Sequence, residues 1–119
     1  MIDSMEGRRA PRAASRFPLR YEVIPVDGRG FLDARVEDLS PEGLRFKCRD
    51  EVRARSGMLL ELQIPDAQPV HFIGRAAWVR ELPDNTGFEV GGRFEDQSTW
   101  GRKTIEAFLR SGAPAFARA

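Results

Sequence analysis

Cysteine is nearly absent: Cys48 is the only one in 119 residues, so neither an internal disulfide nor a cysteine-rich metal site is available. His71 is the only histidine. It has no second His or Cys beside it, so no metal-ligand set is in view and exposure or packing is expected instead. No apolar run approaches the ~20 residues of a spanning helix. The segment MIDSMEGRRAPR at the N-terminus lacks the apolar core of a secretory leader. A cytoplasmic protein without membrane insertion is expected. There is no P-loop, no G-x-G-x-x-G and no hydrolase signature. Ser40 has no histidine to activate it, and the neighbouring acids Asp38 and Glu42 have no supporting base. An enzyme is not expected, nor a metal or cofactor.

Lysine is scarce too. Of nineteen basic residues only Lys47 and Lys103 are lysine, and the rest are arginine, against eighteen acids and a net charge of +1. Compositional bias of the genome accounts for the total but not for the clustering. Arg8, Arg9, Arg12, Arg16 and Arg20 fall in one short stretch whose only preceding acids are Asp3 and Glu6. A local basic arm favours an anionic partner. Guanidinium groups pair bidentately with phosphates and guanine edges and stack on bases.

Beyond the arm the chain reads as strands. Leu19, Tyr21 and Val23 alternate with Arg20 and Glu22. After the turn signal Asp27-Gly28, Leu32, Ala34, Val36 and Asp38 share one face of a second strand, and Leu44, Phe46 and Cys48 one face of a third. Asp50 to Gly57 is a polar loop. Met58 to Ile64, His71 to Glu81 and Phe88 to Phe94 supply three more strands. One helix is convincing: Trp100, Thr104, Ile105, Phe108 and Leu109 share a face, Ser98 or Asp96 caps the start, and Gly112 with Pro114 ends it. The expected organisation is a flexible arm over 1–16, a barrel over 17–112 with its helix at about 98–111, and a tail over 113–119. Six short antiparallel strands and a terminal helix define an all-β fold, a small closed barrel with the helix over one mouth.

Two short elements carry the chemistry. Arg8-Arg9-Ala10-Pro11-Arg12 contains R-x-x-x-R, and Asp38-Leu39-Ser40-Pro41-Glu42-Gly43 has the form D-x-S-x-x-G. As plain structure, the second is a polar turn in which Gly43 supplies a positive φ. As a ligand site, Asp38 supplies an acceptor, Ser40 donates and accepts, and Gly43 allows close approach.

The order of these elements, with Gly74-Arg75-Ala76-Ala77-Trp78-Val79 and Gly91-Gly92-Arg93-Phe94 behind them, resembles the PilZ domain, the bacterial receptor family for cyclic di-GMP. The resemblance covers roughly Arg8 to Leu109. It implies a six-stranded barrel preceded by a basic arm, with cyclic di-GMP bound singly or as a stacked dimer by Arg8, Arg9, Arg12, Asp38, Ser40 and Gly43. Arg16 and Arg93 stand as secondary contacts. It also implies an arm that orders on binding and signals to an unidentified downstream protein in motility, biofilm or exopolysaccharide control. Arg12/Arg16 and Arg16/Arg20 also fit R-x-x-x-R; Arg8/Arg12 is favoured because Arg20 sits in the first strand. Trp78 and Trp100 are expected in the core or at the helix contact. The alternatives are a PilZ-like adaptor that binds no nucleotide and a nucleic-acid-binding barrel. DNA is not an expected partner, because the strands balance Arg with acids and lack an exposed aromatic stripe.

Overall fold

Alternation of apolar and charged residues is the pattern of a strand with one wet face, and six such segments form strands here. They are β1 (Phe17–Ile24), β2 (Leu32–Ser40), β3 (Gly43–Cys48), β4 (Gly57–Leu62), β5 (Val70–Glu81) and β6 (Phe88–Asp96). The computed structural model describes residues 16–24, 28–96 and 99–112. Arg8, Arg9 and Arg12, the tail and the capping position Ser98 lie outside the described residues.

All neighbouring strands pair antiparallel, in the cyclic order β1-β2-β3-β6-β5-β4, and β4 closes on β1. Closure gives each of these six strands two partners and leaves none of them with an exposed edge. The inward residues, among them Leu19, Tyr21, Val36, Phe46, Leu60 and Val90, are fully or almost fully buried. Cys48 belongs to the same core. Burial pushes its thiol above the ordinary value, which suits a packing role and not a reactive one.

The two ends of the barrel are closed differently. At one end, helix α1 (Thr99–Ala107) and the π turn Phe108–Gly112 that follows it lie against the mouth. Ile105 is fully buried, and Phe108 meets Phe17 edge-on at a ring separation of 5.7 Å. At the other end Val52, from the β3–β4 loop, joins the core at 2% exposure.

The expected stripe on the helix needs one correction. Trp100 is 54% exposed. The buried residues are Gly101, Ile105 and Phe108, at spacings of four and three, so the face that meets the barrel runs one position C-terminal to Trp100.

Two of the irregularities in the ladder matter for function. The register shifts between Val36 and Asp38 in β2 and between Ala76 and Trp78 in β5. A bulge adds one residue to one strand and reverses the phase of everything after it. Strict alternation puts Asp38 on the inward face with Leu32, Ala34 and Val36. With Glu37 as the extra residue, Asp38 instead turns outward opposite Arg45, while Leu39 faces Leu44 in the core. In β5 the same device takes Trp78 off the inward phase of Phe72, Gly74 and Ala76 and leaves it 42% exposed. The core position expected for Trp78 is thereby overturned.

Candidate functional site

The β2–β3 hairpin is closed by Pro41 and Glu42 between paired Ser40 and Gly43. Proline presets the φ of such a turn, and Ser40 stabilises it. Its Oγ lies 3.4 Å from the Gly43 carbonyl oxygen, to which it donates, and 3.3 Å from the Glu42 amide, from which it accepts. The Phe94 amide donates to the Glu42 carbonyl at 2.9 Å and ties the turn to β6.

Gly43 is not among the positive-φ glycines. A Cβ there would collide with the Gly92 carbonyl oxygen of β6, so the position needs glycine for strand-to-strand approach. The positive φ expected at Gly43 is thereby corrected, because the constraint comes from a strand distant in sequence.

Two residues along, the hairpin register sets Asp38 directly across from Arg45. Asp38 is 7% exposed, and its Oδ2 accepts from the Arg45 guanidinium at 2.9 Å. Arg45 also donates to Glu89, which accepts from Arg80 as well. A chain of alternating charge thus runs Asp38–Arg45–Glu89–Arg80 across β2, β3, β6 and β5. Burial pushes the Arg45 guanidinium pKa down, but its bonds to Asp38 and Glu89 outweigh that and hold it above the ordinary value.

Beside this chain, on the outer face, lies an open depression of ≈ 340 Å³. Ser40, Glu42, Gly43 and Arg45 form one side, Ala77, Trp78 and Arg93 another, and Gly91 and Gly92 lie between. Gly91 has no side chain, and the Trp78 indole lies across it; a Cβ there would run into the ring. The arrangement offers a flat aromatic surface, two guanidinium groups and a turn rich in polar groups. These are the parts that hold a planar anionic ligand.

Four of the residues expected from sequence meet here: Asp38 at the rim, and Ser40, Gly43 and Arg93 in the lining. Arg45 and Trp78 were missed as site residues. Arg45 was legible: a two-residue turn at Pro41-Glu42 pairs Asp38 with Arg45 by counting back along the hairpin. Trp78 was not, because the bulge that exposes it has no clear mark in Ala76-Ala77-Trp78. Arg16 lies apart from the depression, with its Nε 3.2 Å from Glu37. Arg20 faces elsewhere, 3.2 Å from Glu61 and 5.0 Å from the Phe31 ring centroid. His71 is exposed, 3.9 Å from Glu61. Among the described residues no helix is long and apolar enough to cross a membrane.

Among the described residues, the chain is a closed six-stranded antiparallel barrel with a helix across its mouth and a polar depression on its outer face. The PilZ domain model matches residues 6–111, and the chain belongs to the PilZ family. The fold is similar to that of the PilZ domain with c-di-GMP of YcgR from Escherichia coli, with a TM-score of 0.73, 16% identity, and coverage of 93% of this chain and 94% of that one. It is also similar to the Bacillus subtilis inhibitor of motility MotI/DgrA, with a TM-score of 0.75, 7% identity and coverage of 91% of this chain and 52% of that one. This chain therefore spans about half the length of the Bacillus protein, and at these identities the likeness is one of fold. No curated protein matches the sequence significantly.

Proposed function

We propose that this chain is a receptor for cyclic di-GMP, held between the arginines of the N-terminal segment and the outer barrel face that carries Asp38 and Ser40. The observation that carries the reading is the placement of that face. The β2–β3 turn, the depression beside it and the start of β1 lie at one end of the barrel, as the pairing of Phe17 with Val36 requires. Arg12 is four residues before Arg16, a reach of at most about 14 Å of extended chain, so the arm enters beside the face it is to close. Arg16 and Arg20 each already meet a carboxylate, which favours Arg8 and Arg12 as the working pair and Arg9 as their auxiliary. Trp78 supplies a stacking surface, and Arg93 a further cation.

In this mechanism the arm closes over the nucleotide, and the ordered arm is the new surface that a downstream protein reads. Binding without turnover is part of the reading. Calorimetric titration with cyclic di-GMP, with cyclic di-AMP and GTP as controls, tests it. Selective saturable heat at micromolar concentration or below is expected, and the stoichiometry separates one molecule from a stacked dimer. Arg12→Ala is expected to weaken binding at least tenfold, the scale of one lost charge-assisted bond.

One observation favours a second reading, that of an adaptor that binds no nucleotide. Asp38 and Ser40 both have partners within the protein, so a ligand must compete with or add to them. Absence of heat and of any thermal shift decides for the adaptor.

A further inference from the structure

On the outer face of the barrel, charges of opposite sign recur directly across from one another. Arg20 lies across from Asp33 and Glu61, Asp38 from Arg45, and Arg80 from Glu89. Two pairs break the pattern, and like charges set directly opposite destabilise a sheet. Arg75 lies across from Arg93, and Arg35 across from Lys47. The first pair is compensated. Glu95 accepts two bonds from the Arg75 guanidinium, at 2.7 and 3.2 Å, and its charge bears on Arg93 as well.

The second pair is not compensated. Arg35 and Lys47 are both exposed. On its other side Lys47 lies across from Glu89, but that carboxylate is 1% exposed and already meets Arg45 and Arg80. Along β2, Glu37 is held by Arg16 and Asp38 by Arg45, while Asp33 lies across from Arg20. Among the described residues neither Arg35 nor Lys47 has an ion pair.

These two cations do not line the depression. They continue the outer face beside it, with Lys47 two residues, or about 7 Å of strand, from Arg45. The Arg80 side chain, 67% exposed, lies on the far side of Glu89. Arg35, Lys47 and Arg80 thus form a row across four strands, about 14 Å long at the usual strand spacing. That is the span of about four residues of extended chain. Binding of a nucleic-acid strand needs successive aromatic platforms, and the row itself holds none, with Trp78 two residues beyond its Arg80 end.

We propose that Arg35 and Lys47, with Arg80, form a docking surface for an acidic segment of a partner protein. The fit is one of charge complementarity: carboxylates laid over the row supply the counter-charges that the sheet withholds. A like-charged pair kept against the stability of the sheet is a local conflict of the kind found at functional surfaces. The surface shares no lining residue with the depression, so the inference goes beyond the cyclic di-GMP reading and does not depend on it.

The probe is a synthetic oligoglutamate peptide, titrated at low salt into the isotope-labelled full chain and followed by amide NMR shifts, with oligoglutamine as the uncharged control. Shifts are expected to centre on Arg35, Lys47 and Arg80 and to fade as salt is raised. Arg35→Glu and Lys47→Glu are each expected to lower peptide affinity by about fivefold to tenfold, because reversal at an exposed site replaces an attraction with a repulsion. Lys103→Glu on α1, an exposed site with the same change in net charge, should leave it unchanged. A thermal melt separates binding from folding: Arg35→Glu sets opposite charges across from one another, so its melting point should hold or rise. A lowered melting point would give Arg35 a structural role and overturn the inference. Shifts centred elsewhere, or an equal loss in Lys103→Glu, would overturn it too. A single-stranded oligonucleotide that binds more tightly than the peptide, and is lost in the same variants, would replace the acidic protein with nucleic acid. Cyclic di-GMP affinity lost as strongly as peptide affinity in both variants would assign the cations to the nucleotide and also overturn the inference. A chain that answers the peptide but binds no cyclic di-GMP loses the receptor reading and keeps this one.

Discussion

Gly43 closes the motif that most resembles a ligand-binding turn, yet its lack of a side chain answers to the barrel. The Gly92 carbonyl oxygen of β6 occupies the space a Cβ needs. A backbone neighbour cannot swing aside as a flexible side chain does, so the strands must part. Gly43→Ala is therefore expected to destabilise the fold by roughly 1–3 kcal/mol, the usual cost of forcing extra volume into a packed site. Denaturant unfolding measures it. An unchanged midpoint, with ligand affinity lost, would return Gly43 to a purely ligand-facing role. Gly91 is the related case one strand over, where the missing side chain makes room for the Trp78 indole.

At the scale of elements, the bulges and the helix do the positioning. Each bulge reverses one strand's phase, and together they turn Asp38 and Trp78, which alternation assigns to the interior, onto the outer face. Helix α1 closes the mouth at the same end through Ile105 and Phe108, with Phe108 against Phe17 at the root of the arm. Phe108→Ala is expected to cost about 3–5 kcal/mol, as for other buried aromatic truncations, and to lower the thermal midpoint accordingly. A loss below about 1 kcal/mol would mean that the helix rests on the barrel without closing it.

Over the whole molecule, one charged chain links four strands. Glu89 is 1% exposed and accepts from both Arg45 and Arg80. Burial pushes its carboxyl up, but the two guanidinium groups outweigh burial and hold it below its ordinary value of 4.5. The folded value thus lies below the unfolded one. The stabilisation is complete above the unfolded value and is lost as pH falls through the folded one. Stability measured by denaturant should be level near neutrality and decline below about pH 4.5. Glu89→Gln should cost roughly 3 kcal/mol at pH 7, because it leaves Arg45 with one carboxylate instead of two, and the acid decline should become shallower. An acid limb unchanged in Glu89→Gln would assign the decline to other carboxylates.

Much of this protein was determined by its sequence alone. Apolar alternation placed the six strands, because a half-buried strand must alternate whatever its partners are. Helical spacing at Ile105 and Phe108 placed the helix, and the turn chemistry of Ser40-Pro41-Glu42-Gly43 placed the hairpin whose register sets Asp38 against Arg45. The arginine cluster and the D-x-S-x-x-G turn pointed to the family before any coordinate. The tertiary structure decided what alternation cannot express. A bulge is a relation between two strands, so the outward turn of Asp38 and Trp78 depends on which residue the partner leaves unpaired. The exposure of Trp100 depends on where the helix meets the barrel mouth, one position out of phase with the stripe read from sequence. The need for glycine at position 43 comes from a carbonyl forty-nine residues away, and the meeting of Arg16 with Glu37 comes from the antiparallel pairing of β1 with β2. Each is a contact between segments distant in the chain, and local pattern holds no record of such contacts until the barrel closes.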